Sequence, residues 1–259
     1  MSRRYPFSLS CLGLSQLSRS NPLVIAWWSA AFPGYGHMLI NMHIKGNILI
    51  LFEVIINLNA HLNQATAYSF SGQFELAKEV LNSRWALIYI PFYFFCIFDS
   101  YRSAKDINQL CLLTEQTPVI RPIFEMKSYS LSYLDKRSPR IAMLWSLFLP
   151  GTGELYCQRT ITALSLMIWT LVITYFSHSM ESLQWLLTGN IDVSKRVLDM
   201  EWLLFIPSLH FGAAYDAYRG TLNHNHFFVR EQKDYLRRKW PVKRAHPLFP
   251  ENGWNGESN

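Results

Sequence analysis

Trp28-Ser29-Ala30-Ala31-Phe32-Pro33-Gly34-Tyr35-Gly36 returns 117 positions later as Trp145-Ser146-Leu147-Phe148-Leu149-Pro150-Gly151-Thr152-Gly153. Outward from these two stretches, the same offset aligns residues 22–102 with 139–219 without a gap. Upstream, Pro22 falls on Pro139; downstream, His61, Gly72, Lys78, Val80, Leu81 and Trp85 fall on His178, Gly189, Lys195, Val197, Leu198 and Trp202. The unit closes with Asp99, Tyr101 and Arg102 on Asp216, Tyr218 and Arg219. Identities at turn formers, tryptophans and a charged terminal motif, all in one register, point to tandem duplication, and two copies are too few for a solenoid. The chain therefore divides into a basic N-terminus (1–21), a first unit (22–102), a linker (103–138), a second unit (139–219) and a basic tail (220–259).

Only 16% of the 259 residues are charged, while 50% are hydrophobic and 15% aromatic. A soluble domain carries ~25% charged residues, so disorder, a coiled coil and a disulfide scaffold are excluded and a membrane protein is expected. The mean hydropathy is nevertheless only +0.05, so the apolar residues must be concentrated in segments. Each unit holds three such segments: 23–44, 47–60 and 85–98 in the first, 141–156, 160–180 and 202–215 in the second. Of these, 160–180 is uncharged and long enough to cross ~30 Å of hydrocarbon. Segments 85–98 and 202–215 reach only ~21 Å, so they either continue through the Asp-x-Tyr-Arg motif, whose side chains snorkel to the interface, or do not span.

Basic residues set the orientation. Three of the 24 Lys and Arg precede Pro22, seven lie in 102–140 and eight from Arg219 onward, against two in each of 61–84 and 178–201. By the positive-inside rule the N-terminus, linker and tail are cytoplasmic and the two intervals lie outside. Each unit then crosses an even number of times, which makes the units parallel rather than inverted. The expected architecture is all-α and multipass, with about four transmembrane helices plus two Pro-Gly-x-Gly segments that are either re-entrant or kinked. Pro33, Gly34, Gly36, Pro150, Gly151 and Gly153 suit a break, because proline removes a donor and glycine takes angles closed to other residues. Close helix packing would explain the glycines equally well. In the outer intervals, Ser71 and Thr188 are expected to cap amphipathic surface helices that lead into Trp85 and Trp202.

Asp99 and Asp216 stand three residues before Arg102 and Arg219, which is ion-pair spacing on a helix, with Tyr101 and Tyr218 alongside. An interfacial clamp is the expectation, with a proton or ion site as the alternative. Glu53 falls in the middle of a span, where a lone charge is costly; it should be protonated or hydrogen-bonded, with Asn57 near, and it is the one candidate intramembrane site. Its counterpart is Thr170. His61 and His178 recur, but two ligands do not make a metal site, and neither metal nor cofactor is expected. Cys11, Cys96, Cys111 and Cys157 lack paired spacing and read as free thiols; Arg3 and Arg4 are not followed by a cleavable signal, and Cys11 is not expected to carry lipid. Motifs for nucleotides, zinc proteases or serine hydrolases are absent, so no catalytic residue is assigned. The basic tail should meet anionic headgroups rather than nucleic acid, and 247–259 reads as disordered.

The two nine-residue stretches, with Asp99-Ser100-Tyr101-Arg102 and Asp216-Ala217-Tyr218-Arg219, resemble the TM2 domain and related small bacterial membrane proteins. The chain departs from that pattern after the glycines, reading His37-Met38-Leu39-Ile40 and Glu154-Leu155-Tyr156-Cys157 where the family is usually written H-R-F-Y-L-G. The resemblance implies a bacterial cell membrane and transfers no activity. The expected function is a non-enzymatic membrane scaffold or assembly protein that meets a membrane or cytoplasmic partner, or a second copy of itself. The alternative is a small transporter or channel using the broken helices and Glu53.

Overall fold

The computed structural model describes residues 7–10, 13–115, 124–127, 130–133 and 135–240; Arg3, Arg4, Cys11 and 247–259 lie outside them. The first half runs β1 (Phe7–Ser10), β2 (Gly13–Gln16), α1 (Pro22–Ala31), α2 (Tyr35–Leu39), α3 (His43–Ala60), α4 (Leu62–Phe70), α5 (Phe74–Val80) and α6 (Ser83–Glu115). The second runs β3 (Phe124–Lys127), β4 (Ser130–Tyr133), α7 (Pro139–Phe148), α8 (Thr152–Tyr156), α9 (Thr160–Ser177), α10 (Ser179–Leu187), α11 (Ile191–Val197), α12 (Met200–Leu203) and α13 (Phe205–Lys239). The first and last residues of α1 through α5 recur 117 positions later in α7 through α11. So do both hairpins, which pair Phe7 with Gln16 and Phe124 with Tyr133. Backbones with positive φ follow the same rule: Gly34 with Gly151, Asn41 with Gln158, His61 with His178, Gly72 with Gly189.

The body is all-α, as the hydrophobic pattern requires; the two hairpins are an addition that the pattern does not disclose. The offset also holds beyond 22–102 and 139–219. Upstream it includes the hairpins. Downstream the final helices do not stop at Arg102 and Arg219 but run on to Glu115 and Lys239, so much of the expected linker and tail is helix.

Four further expectations are corrected. Ser71 and Thr188 do not start helices: they close α4 and α10, where their hydroxyls donate to Ala67 O (3.0 Å) and Trp185 O (2.9 Å). Short hydroxyl side chains bond backbone at either end of a helix, and here a glycine with φ of 76° or 82° follows and turns the chain. Each outer interval is accordingly two helices rather than one. The uncharged run 160–180 is likewise not one helix, because His178 takes φ 51° and ends α9 at Ser177. The segment 202–215 is broken at Leu204, between α12 and α13.

Why the chain turns back after α1 follows from local chemistry. Asn21 caps α1 by accepting from Leu23 N (3.0 Å), and Pro22 takes the first helical position, where its missing donor costs nothing. Phe32 leaves helical geometry, as a residue before proline tends to, and Gly34 adopts φ 91°. Both readings of the glycines hold together. A Cβ on Gly34 would lie 2.7 Å from Gly46 O and 2.8 Å from Ile50 N, so the same residue permits the turn and the close approach of α3.

Hydrogen bonds along α6 measure the height of each segment. Asn108 holds Ser20, two residues before α1, by accepting from Ser20 N (2.9 Å) and donating to Ser20 O (2.8 Å). Fifteen residues up α6, Tyr93 OH donates to Ala30 O (2.8 Å) at the end of α1. His37, in α2, is back at the level of Asp99. At 1.5 Å per residue that is a descent of ~9 Å, so α1 and α2 form a hairpin that climbs α6 and turns back toward the end where it began. In the second half Asn225 makes the equivalent pair of bonds to Arg137, and Cys157, just after α8, returns to Thr221 (2.8 Å).

The halves lie side by side with the same polarity. Arg159 faces Asn41 (3.5 Å), Thr162 faces His43 (3.5 Å), and Ser165 donates to Asn47 (2.6 Å). Each pair joins residues 118 or 119 positions apart, which sets the start of α3 beside the start of α9. One core covers the junction: Ile25, Phe32, Tyr35, Met38 and Ile50 pack with Leu166, Ile173, Phe205 and Leu209. Phe32 meets Phe205 and Trp28 meets Tyr215, at ring-centre distances of 5.7 and 5.2 Å.

Among the described residues, one helix, Thr160–Ser177, is by itself long and apolar enough to cross a membrane. The number rises to three if α3 with α4, bent by 64°, and α5 with α6, bent by 90°, each count as one span.

Candidate functional site

Asp99 and Asp216 do not pair with the arginines three residues on. Both turn inward and hold the broken segment of their own half, an arrangement that spacing alone could not distinguish from an intrahelical pair. Asp99 Oδ2 meets His37 Nε2 at 2.6 Å and also Lys45 Nζ. Asp216 Oδ1 meets Arg159 Nη1 at 2.9 Å, with both side chains 4% exposed. The residue at the position of His37 is Glu154, fully buried, which accepts from Ser146 Oγ at 2.7 Å; Gly153 N in turn donates to that hydroxyl.

The two clamps therefore share a plan and differ in charge. The first joins one acid to a lysine and a histidine, partly open to solvent. The second buries two acids against one arginine, with Asp216 Oδ2 and Glu154 Oε1 lacking partners. Tyr35, from the first half, is 1% exposed and lies against Gly212 of α13, which ties the first broken segment into the second half. Arg219 reaches instead to Ser20 Oγ at the foot of α1, and Lys105 Nζ lies 5.2 Å from the Tyr101 ring centre. Tyr218 is 39% exposed.

Glu53 is 2% exposed, and its Oε1 accepts from Asn57 Nδ2 (3.2 Å), as expected, and from Tyr89 OH (3.1 Å). Thr170 only bonds back to Leu166 O (2.8 Å). His61 and His178, both with left-handed backbone, border a cleft of about 730 Å³ at the far end of α3 and α9, together with Gln64, Lys195, Asp199 and Glu201. No group of three His, Cys, Asp or Glu among the described residues is placed to hold a metal ion.

A scan against protein-family models finds no match, and no curated protein or solved structure matches either.

At the opposite end, the extensions of α6 and α13 border a cleft of about 850 Å³ with Arg19 and Ser18. Phe227, Leu222 and Val229 supply its apolar wall, and Arg230, Lys233 and Arg237 its charge, against one acid, Asp234. Nearby, His224 is 1% exposed, and its Nε2 donates to Asp135 O (2.8 Å); burial holds its pKa below the usual histidine value, so it packs as a neutral ring. The residues that sequence reasoning missed here are Asn108 and Asn225. They are identical and 117 apart, so the sequence repeat itself extends past Arg102 and Arg219.

Proposed function

We propose that the chain is a multipass membrane protein of two parallel TM2-like units, non-enzymatic, which acts as a scaffold through its cytoplasmic end. α3, α9 and the upper parts of α6 and α13 cross the bilayer, and the two α1–α2-type hairpins enter from the cytoplasmic side and return. Outward-facing residues support the placement: Leu51, Phe52, Ile55, Phe94, Phe98, Leu164, Ile168, Leu171 and Phe211 are 43–71% exposed, an apolar belt larger than a soluble monomer presents.

The observation that carries the scaffold reading is the helical continuation of α13, 20 residues past Arg219 to Lys239, about 30 Å of stalk that ends beyond headgroup reach. Its Arg230, Lys233 and Arg237 suit an acidic partner segment. Deleting 220–259 would not test this, because it removes Thr221, His224 and Asn225, which are built into the fold. The test is Arg230→Glu with Lys233→Glu and Arg237→Glu. The folded triple variant is expected to lose a partner that co-purifies stoichiometrically with the wild type, and equal retention of that partner would refute the stalk as the docking element.

A further inference from the structure

The buried carboxyl of Glu53 is joined to the far cleft by an unbroken set of polar contacts that passes from one half to the other. Asn57 Nδ2, which donates to Glu53, also reaches Asn63 Oδ1 (3.3 Å), and Asn63 N donates back to Asn57 Oδ1 (3.2 Å). Asn63 Nδ2 then donates to Glu201 O (2.7 Å), and Gln64 N donates to Glu201 Oε2 (2.8 Å). Glu201 and Gln64 line the 730 Å³ cleft. At the two ends of this chain one carboxyl oxygen is buried without a partner, Glu53 Oε2 and Glu201 Oε1. A buried polar atom left unpaired is costly, and two of them flanking one amide chain is a poor solution for structure alone.

We propose that Glu53 is a proton-binding site served from the cleft between the halves, with Glu201 at its mouth. An acid of bulk solvent gives up its proton and keeps the bonding electron pair; the new O–H bond forms on Glu53 Oε2. Asn57 and Asn63 do not carry the proton. They hold the two carboxyl groups in line, and the proton travels on water admitted from the cleft. The titratable groups that face Glu53 are Tyr89, Tyr93 and Cys96 of α6, none of them a cation, so ionised Glu53 has no counter-charge there. At the mouth, burial pushes the Glu201 carboxyl up to about 7, which lets it exchange protons with neutral solvent. Asp99, on the other side of Cys96, is engaged by His37 and Lys45 and opens toward the opposite end.

Infrared spectroscopy of the protein in lipid reads this without any transported substrate, so it is independent of the scaffold reading. The wild type is expected to show a protonated-carboxyl band that moves on transfer to heavy water, and the difference spectrum against Glu53→Gln should isolate the Glu53 component from that of Glu201. Gln64→Trp, which leaves Glu53 in place and narrows the cleft beside Glu201, should slow the deuterium shift measurably. A difference spectrum with no protonated-carboxyl component lost in folded Glu53→Gln, or an exchange rate that Gln64→Trp leaves unchanged, would overturn the proposal. Should Glu53→Gln not fold, the cleft variant decides alone.

Discussion

Arg159→Ala is expected to cost about 3–5 kcal/mol. Arg159 and Asp216 are each 4% exposed at their side chains, and Glu154 is fully buried beside them. Removing the guanidinium leaves two carboxyl groups in the interior with no cation, and breaking a buried pair is penalised far more than its net stabilisation would suggest. Lys45→Ala is the internal control. It takes the cation from the corresponding clamp, but Lys45 is 38% and Asp99 18% exposed, and His37 remains on the acid. Solvent screening limits that loss to about 1 kcal/mol. Thermal unfolding in one lipid or detergent system compares them: a large drop in Tm for Arg159→Ala and a small one for Lys45→Ala are expected. Arg159→Met with Asp216→Asn should recover part of the loss, since neutralising Asp216 removes one of the two stranded carboxylates while Glu154 remains. Equal drops for the two single variants would mean that the clamps are energetically alike, contrary to their burial.

Gly153→Ala should be the next most damaging change, at about 3 kcal/mol, because the added methyl has nowhere to go. Its Cβ would overlap Ala142 O and stand 2.5 Å from Ser146 Oγ, the hydroxyl that donates to Glu154. Gly36 stands in the same way against Ile25 O and Ser29 Oγ, so the close contact of the broken segment with its own first helix is common to both halves. Gly189→Ala provides the contrast: nothing lies within 4 Å of its Cβ, and only the backbone angle of φ 82° resists. That strain is worth ~1–2 kcal/mol. Unfolding curves for Gly153→Ala, Gly36→Ala and Gly189→Ala should separate accordingly, and a Gly189→Ala variant as unstable as Gly153→Ala would refute the packing argument.

These two substitutions mark where sequence reading succeeds and where it stops. Pro33-Gly34 and Pro150-Gly151 are legible as breaks because proline and glycine restrict the backbone locally, and the 117-residue offset locates every equivalent element. Asp99 and Asp216 are legible as important charged positions, but not their partners. Arg102 and Arg219 sit at helical spacing, while the side chains that actually bind lie 54 to 62 residues away and are brought in by the hairpin of α1 and α2. Glu53 and Asn57 are four apart on one helix and could be read together; Tyr89, Asn63 and Glu201 come from other elements and could not. The left-handed turns at His61 and His178 were visible only as a recurring histidine, since nothing in that residue type requires positive φ. Ser71 and Thr188 misled because a hydroxyl serves either end of a helix. The hairpins escaped because four-residue strands carry too little periodicity to register.

The parallel, twice-repeated membrane arrangement is the claim on which the rest stands, and side-specific labelling of single cysteines tests it most directly. Gln73→Cys and Asn190→Cys report the turns between α4 and α5 and between α10 and α11; Gln109→Cys and Gln232→Cys report the two helical extensions. All four positions are exposed. In sealed vesicles, positions 73 and 190 should react with an impermeant reagent from one side, and 109 and 232 only from the other. Labelling of 73 and 190 from opposite sides would mean inverted units, and labelling of 73 and 109 from the same side would remove the crossing between them.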